Sequence, residues 1–145
     1  MAAEPFSGRV DMSSRRAFQG TLAVLGLVVL GTGTIDIVAG PSGLPETPEV
    51  SNTLDSNYRF FAGVWCALGL ALLLAARRPE SHVSVMRAVF GAVFVGGLAR
   101  GVSYFAVGAP HAMYATFIGV ELIAPTVLTL WYGRLARLPA PVTAV

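Results

Sequence analysis

Ala17-Phe18-Gln19-Gly20-Thr21-Leu22-Ala23-Val24-Leu25-Gly26-Leu27-Val28-Val29-Leu30-Gly31-Thr32-Gly33-Thr34-Ile35-Asp36-Ile37-Val38 carries one charge, Asp36, close to its end. Roughly 20 helical residues rising about 1.5 Å each cross a hydrocarbon core of about 30 Å. The run is therefore long enough for one membrane crossing, and it decides the fold. Working outward, three more apolar runs follow at about 57–75, 84–107 and 113–133. The expectation is an all-α protein, a four-helix transmembrane bundle spanning residues 17–133. Residues 1–16 and 134–145 read as polar or Pro/Ala-rich cytoplasmic tails.

The connections fit this division. Between the first two runs lie Gly40, Pro41, Gly43, Pro45 and Pro48 with Glu46, Glu49 and Asp55, a stretch that cannot continue a helix and prefers water. Thr53, Asp55 and Ser56 are good N-cap types for the second helix. Arg77 to His82 forms a polar turn, and Gly108 to Ala112 separates the last two runs. Of the 145 residues 54% are hydrophobic and 12% charged, about half the charged share of a soluble domain. A mean hydropathy of +0.67 agrees. The net charge of +2 and the pI near 9.1 suggest no nucleic-acid partner. All the basic residues are arginines and most flank apolar runs, so no phosphate-tracking patch is left.

Those arginines set the expected orientation, because short cytoplasmic loops hold the basic excess. Arg9, Arg15, Arg16, Arg77, Arg78, Arg134 and Arg137 fall on one side of a four-crossing path, and loops 39–56 and 108–112 have none. Both termini are expected in the cytoplasm. Ser14-Arg15-Arg16-Ala17-Phe18 resembles a twin-arginine signal, but three further crossings favour an uncleaved anchor. Tyr104, Tyr114, Trp131 and Tyr132 lie near helix ends, where amphipathic rings prefer the headgroups. Trp65 lies deeper and reads as a packing residue.

Ionisable residues inside a bilayer are costly and usually face the bundle interior, paired or in water. Arg100 and Glu121 are about equally far from the turn at Pro110 and His111 and can meet. Asp36 and Arg59 share a shallower depth around the acidic loop and form a second expected pair. Asp55 offers Arg59 an alternative partner one turn earlier on its own helix. These residues are either ion pairs fixing helix packing or the lining of an outward-facing polar cavity. Pro125 leaves the Glu121 carbonyl without its helical donor, whether as a simple kink or as part of that site. Gly97 and Gly101 on the third helix and Gly63 on the second place small residues beside the charges, where helices approach closely. Gly26 and Gly33 lie on the Asp36 face of the first.

Catalytic sets are missing from this inventory. His82 and His111 fall at opposite ends of the expected bundle without neighbouring ligands, so no metal is expected. A single cysteine, Cys66, excludes a dithiol centre. The glycines lack the strand, turn and helix setting of a phosphate loop. No cofactor and no enzymatic activity are expected.

Thr53-Leu54-Asp55-Ser56-Asn57-Tyr58-Arg59-Phe60-Phe61-Ala62-Gly63-Val64-Trp65, with Gly97-Leu98-Ala99-Arg100-Gly101, the Gly108-x-Pro110 turn and Glu121 followed by Pro125, resembles an uncharacterised bacterial family of small four-helix membrane proteins, catalogued as a domain of unknown function. The resemblance covers about Thr21 to Gly133. It implies a four-helix bundle with recurring positions at Asp55, Arg59, Gly63, Arg100 and Glu121, and it implies no activity. The expected role is a non-catalytic accessory or a small-ligand or lipid-binding component. Its partners would be membrane lipids, a small polar or anionic ligand, and a second copy or another membrane protein. The alternative is a small proton-coupled transporter using Glu121. An enzyme acting on lipid has only the polar pocket in its favour.

Overall fold

A computed structural model describes residues 12–136. Four helices follow in order, α1 (Met12–Ala39), α2 (Asn52–Arg77), α3 (Val83–Val107) and α4 (Ala112–Leu135), and no strand occurs among the described residues. Short 3-10 turns, Pro41–Gly43 and Pro79–Ser81, sit in the first two connections. Each helix is long and apolar enough to cross a membrane. The all-α, four-helix architecture thus follows from the apolar runs.

Two helix ends differ from expectation. α2 starts at Asn52, because Ser51 is the cap and its side chain accepts from the Leu54 N–H. α1 starts at Met12, within the stretch expected to be a tail. Tertiary contacts hold that extra turn. Arg15 Nε donates to Glu80 at 2.7 Å, and Trp131 Nε1 donates to Ser14 Oγ at 3.1 Å. Arg9 and Arg137, counted for orientation, lie outside the described residues.

The chain forms two hairpins, α1 on α2 and α3 on α4, which meet mainly through α2 and α3. The first hairpin is packed backbone to backbone. A Cβ on Gly69 would stand 2.6 Å from Leu30 N, one on Gly26 2.9 Å from Gly69 O, and one on Gly33 3.0 Å from Ala62 O. In the second hairpin a Cβ on Gly97 would stand 3.0 Å from Glu121 Cβ. Gly63 and Gly101 are corrections, since a Cβ on either meets nothing within 4 Å. α2 faces α1 with Ala62, Cys66, Gly69 and Leu73, and Gly63 is rotated about 100° from that row. Gly101 lies one turn beyond Gly97, where no atom of α4 comes so near.

The apolar core gathers at one end. Phe18 and Leu22 of α1, Leu72, Ala75 and Ala76 of α2, Met86, Val89 and Phe90 of α3 and Leu128 of α4 form a single cluster. Phe18 anchors it, 1% exposed, with Trp131 edge-on at 5.3 Å. Every one of these residues lies near the Pro79–Ser81 turn and the outer ends of α1 and α4. We call this the terminal end. At the opposite, loop end, where 40–51 and 108–111 connect the helices, large side chains such as Phe61 and Phe105 are exposed. The bundle is closed at one end and open at the other.

Candidate functional site

The loop end holds all the ionisable residues singled out in the sequence. Asp36 lies three residues before the end of α1, Tyr58 six after the start of α2, Arg100 seven before the end of α3 and Glu121 nine after the start of α4. At about 1.5 Å per residue these depths run from about 5 to 14 Å below the helix ends.

Arg100 and Glu121 form an ion pair across the second hairpin, with Nε 2.9 Å from Oε2 and donating to Oε1 at 3.1 Å. The Glu121 side chain is 12% exposed and that of Arg100 42%. Glu121 Oε2 is buried and accepts no hydrogen bond. Close packing of Glu121 against Gly97 sets this geometry, since a side chain on residue 97 would strike Glu121 Cβ. The Arg100 guanidinium also lies over the Tyr114 ring, 5.7 Å from its centroid, within cation–π range. Pro125 sits inside continuous α4, buried. The hydroxyls of Thr126 and Thr129 bond the carbonyls of Leu122 and Pro125, so neither serves the carbonyl of Glu121.

The expected Asp36–Arg59 pair is corrected. Arg59 pairs with Asp55 on its own helix, Nε to Oδ2 at 2.9 Å, and its Nη1 donates to the carbonyls of Ile37 and Val38. These are terminal carbonyls of α1 without helical donors, and a guanidinium there also meets the negative end of the helix dipole. One turn of backbone makes room for it. Gly40 has φ 65°, and a Cβ there would stand 2.5 Å from Arg59 Nη2 and 2.9 Å from Asp55 Oδ1. The local Asp55 partner wins because it is fixed at four residues' spacing, whereas Asp36 would have to draw Arg59 away from the carbonyls. Asp55, Arg59 and Gly40 thus form a clasp over the end of α1. The Asp55-to-Arg59 spacing was visible in the sequence, but nothing there marked Gly40 as its seat.

Asp36 instead faces a cleft of about 210 Å³ lined by Asp36, Tyr58, Phe61, Ala62, Trp65 and Arg100. Three helices contribute, α1 with the carboxylate, α2 with the aromatic wall and α3 with Arg100. Tyr58 interacts with the Asp36 carboxylate. Trp65 lines the cleft rather than merely filling a core, and its Nε1–H donates to Thr32 Oγ1 at 3.1 Å. Glu121 adjoins the cleft through Arg100 and does not line it. The sequence reading missed Tyr58 and Phe61. Their spacing of three and then four to Trp65 places all three on one helix face, and that signal was available.

Among the described residues, no three His, Cys, Asp or Glu side chains gather closely enough to hold a metal ion. The site offers one carboxylate, one phenol, one guanidinium and aromatic faces. That set suits noncovalent binding. A family model, described as "Domain of unknown function (DUF4345)", matches residues 17–132, which include every residue of the cleft. No curated protein and no solved structure matches the chain.

Proposed function

The chain belongs to the family described as a domain of unknown function (DUF4345), and from that premise we propose that it is a non-catalytic membrane component that binds a small polar molecule or a lipid headgroup. The cleft at the loop end carries the proposal. It places Asp36, Tyr58 and Arg100 against an aromatic wall inside a bundle whose apolar core lies at the other end. A polar pocket within membrane depth is costly to form and is usually kept for a ligand or ion. In the orientation that the arginines favour, the cleft opens outward from a bacterial inner membrane. An accessory role beside a second membrane protein or another copy is compatible with the same cleft.

Native mass spectrometry of the gently extracted full chain tests this reading. The expected result is a reproducible bound mass in the wild type that is lost or reduced in the Asp36→Asn variant, whose substitution lies on the cleft wall, with protomer number unchanged. A wild type that carries no bound mass contradicts it.

One observation favours a second reading, proton-coupled transport. Glu121 Oε2 is buried and accepts no hydrogen bond, as suits a group that takes up a proton. Arg100 at 2.9 Å opposes it by favouring the charged carboxylate. Dye flux driven by a proton gradient in proteoliposomes, abolished by Glu121→Gln, would support transport. Flux unchanged by that substitution would remove it.

A further inference from the structure

The sign of the ligand's charge can be read from which charges at the loop end are already matched. Arg59 is held by Asp55 and by two α1 carbonyls, and Arg100 by Glu121. Asp36, the one carboxylate lining the cleft, forms no ion pair, and the other described carboxylates without one, Glu46 and Glu49, lie in the loop beyond the helix ends and do not line the cleft. With both carboxylates ionised, Asp36 and Glu121 against Arg100 leave one uncompensated negative charge, and it is the Asp36 carboxylate on the cleft wall.

The rest of the wall points the same way. Tyr58, Phe61 and Trp65 present aromatic rings, whose negative faces attract cations and repel anions. A metal cation is poorly served here. Sodium, magnesium and calcium prefer shells of about six or more oxygens, and the lining side chains supply oxygen only from Asp36 and Tyr58. An alkylated ammonium group needs one counter-charge and aromatic contact, and the cleft supplies both. Partial removal from water strengthens the attraction to the carboxylate.

We propose that the cleft between α1, α2 and α3 binds an organic ammonium group, with Asp36 as its counter-ion and Tyr58, Phe61 and Trp65 as its aromatic cage. This rests on the ligand-binding reading above and gives it a chemical class. Arg100, turned to Glu121 and Tyr114, closes the α3 side of the cleft as half of a neutral pair. The ammonium belongs either to a free small molecule or to a lipid headgroup.

The test is calorimetric titration of the full-length protein in an uncharged detergent with tetraethylammonium chloride, and separately with sodium propionate. Saturable binding of tetraethylammonium is expected in the wild type, weakened about tenfold or more by Asp36→Asn and about fivefold by Trp65→Leu. Asp36→Glu, which keeps the charge, should retain binding and shows that loss in Asp36→Asn is not misfolding. Repeating the titration in nanodiscs of phosphatidylglycerol alone and with added phosphatidylethanolamine separates the two sources. Competition by the ethanolamine lipid identifies a headgroup ligand, and undiminished binding identifies a free ammonium compound. Propionate binding without tetraethylammonium binding would overturn the cation assignment while leaving a ligand cleft. Wild-type affinity in Asp36→Asn would overturn it as well. Failure of both probes, together with a native mass spectrum free of bound mass, would overturn both proposals.

Discussion

Arg100 Nε lies 2.9 Å from Glu121 Oε2 across the α3–α4 hairpin, and the two partners differ in exposure, 42% for the arginine side chain and 12% for the carboxylate. The pair is therefore asymmetric. Losing Arg100 strands a buried charge, whereas losing Glu121 leaves an arginine whose long stem can carry its head toward the interface.

Arg100→Gln should accordingly destabilise the bundle more than Glu121→Gln, by about 2 kcal/mol. The double variant should recover part of the loss. Unfolding of the four proteins in mixed detergent micelles gives the coupling directly. Equal effects of the two single changes would contradict the asymmetry.

Close approach of α1 and α2 makes a second contrast. Gly69→Ala pushes a methyl group to 2.6 Å from Leu30 N, a backbone atom that cannot swing aside. It should cost about 1–3 kcal/mol. Gly63→Ala meets open space and should be neutral or stabilising by up to about 1 kcal/mol, because alanine is the better helix former. Thermal unfolding followed by circular dichroism separates them.

The closed end should carry the packing energy. Phe18→Ala, at 1% exposure beside Trp131, should cost about 2 kcal/mol through lost dispersion contacts, since lipid offers little hydrophobic drive. Phe105→Ala, at 88% exposure, should leave the midpoint within about 0.5 kcal/mol of wild type. Comparable losses at both sites would argue against a core confined to the terminal end.

Glu80 gives a pH dependence outside the membrane. The hydrogen bond from Arg15 holds its carboxyl below the ordinary glutamate value. Because the folded form is the more acidic, the stabilisation is full above the unfolded value. It is lost as pH falls through the folded value. For an exposed pair it is at most about 1 kcal/mol. Wild type should therefore exceed Glu80→Gln in stability by a constant amount from about pH 5.5 to 8, and the difference should shrink progressively as pH falls below the ordinary glutamate value. A difference that grows with acidification would contradict the pairing.

The helices were legible because a membrane crossing demands a length of apolar sequence that few other structures need. Their ends were less so. Met12 to Arg16 looked like tail, and contacts of Ser14 with Trp131 and Arg15 with Glu80, residues far apart in sequence, help to hold it as helix. Family membership was readable from the Asp55 to Trp65 stretch and the Arg100 and Glu121 positions. Equal depth likewise brought Arg100 to Glu121. Depth alone misled at Asp36 and Arg59, where rotation about the helix axis and free carbonyls at the α1 end decided the pairing. Gly63 and Gly101 failed for a related reason. Spacing shows which residues share a face, but not which face meets a neighbour.

Cysteine accessibility in intact cells tests most directly the claim that the bundle is closed at the terminal end and opens outward at a polar cleft. Single cysteines at Ser51, Tyr58, Leu72 and Ser81, each in a Cys66→Ala background, would be exposed to a membrane-impermeant thiol reagent added outside. Labelling of Ser51→Cys and Tyr58→Cys, with Leu72→Cys and Ser81→Cys unreactive, is the expected result. Labelling of Ser51→Cys without Tyr58→Cys would mean that no cleft opens there, and labelling of Ser81→Cys in place of Ser51→Cys would turn the orientation around.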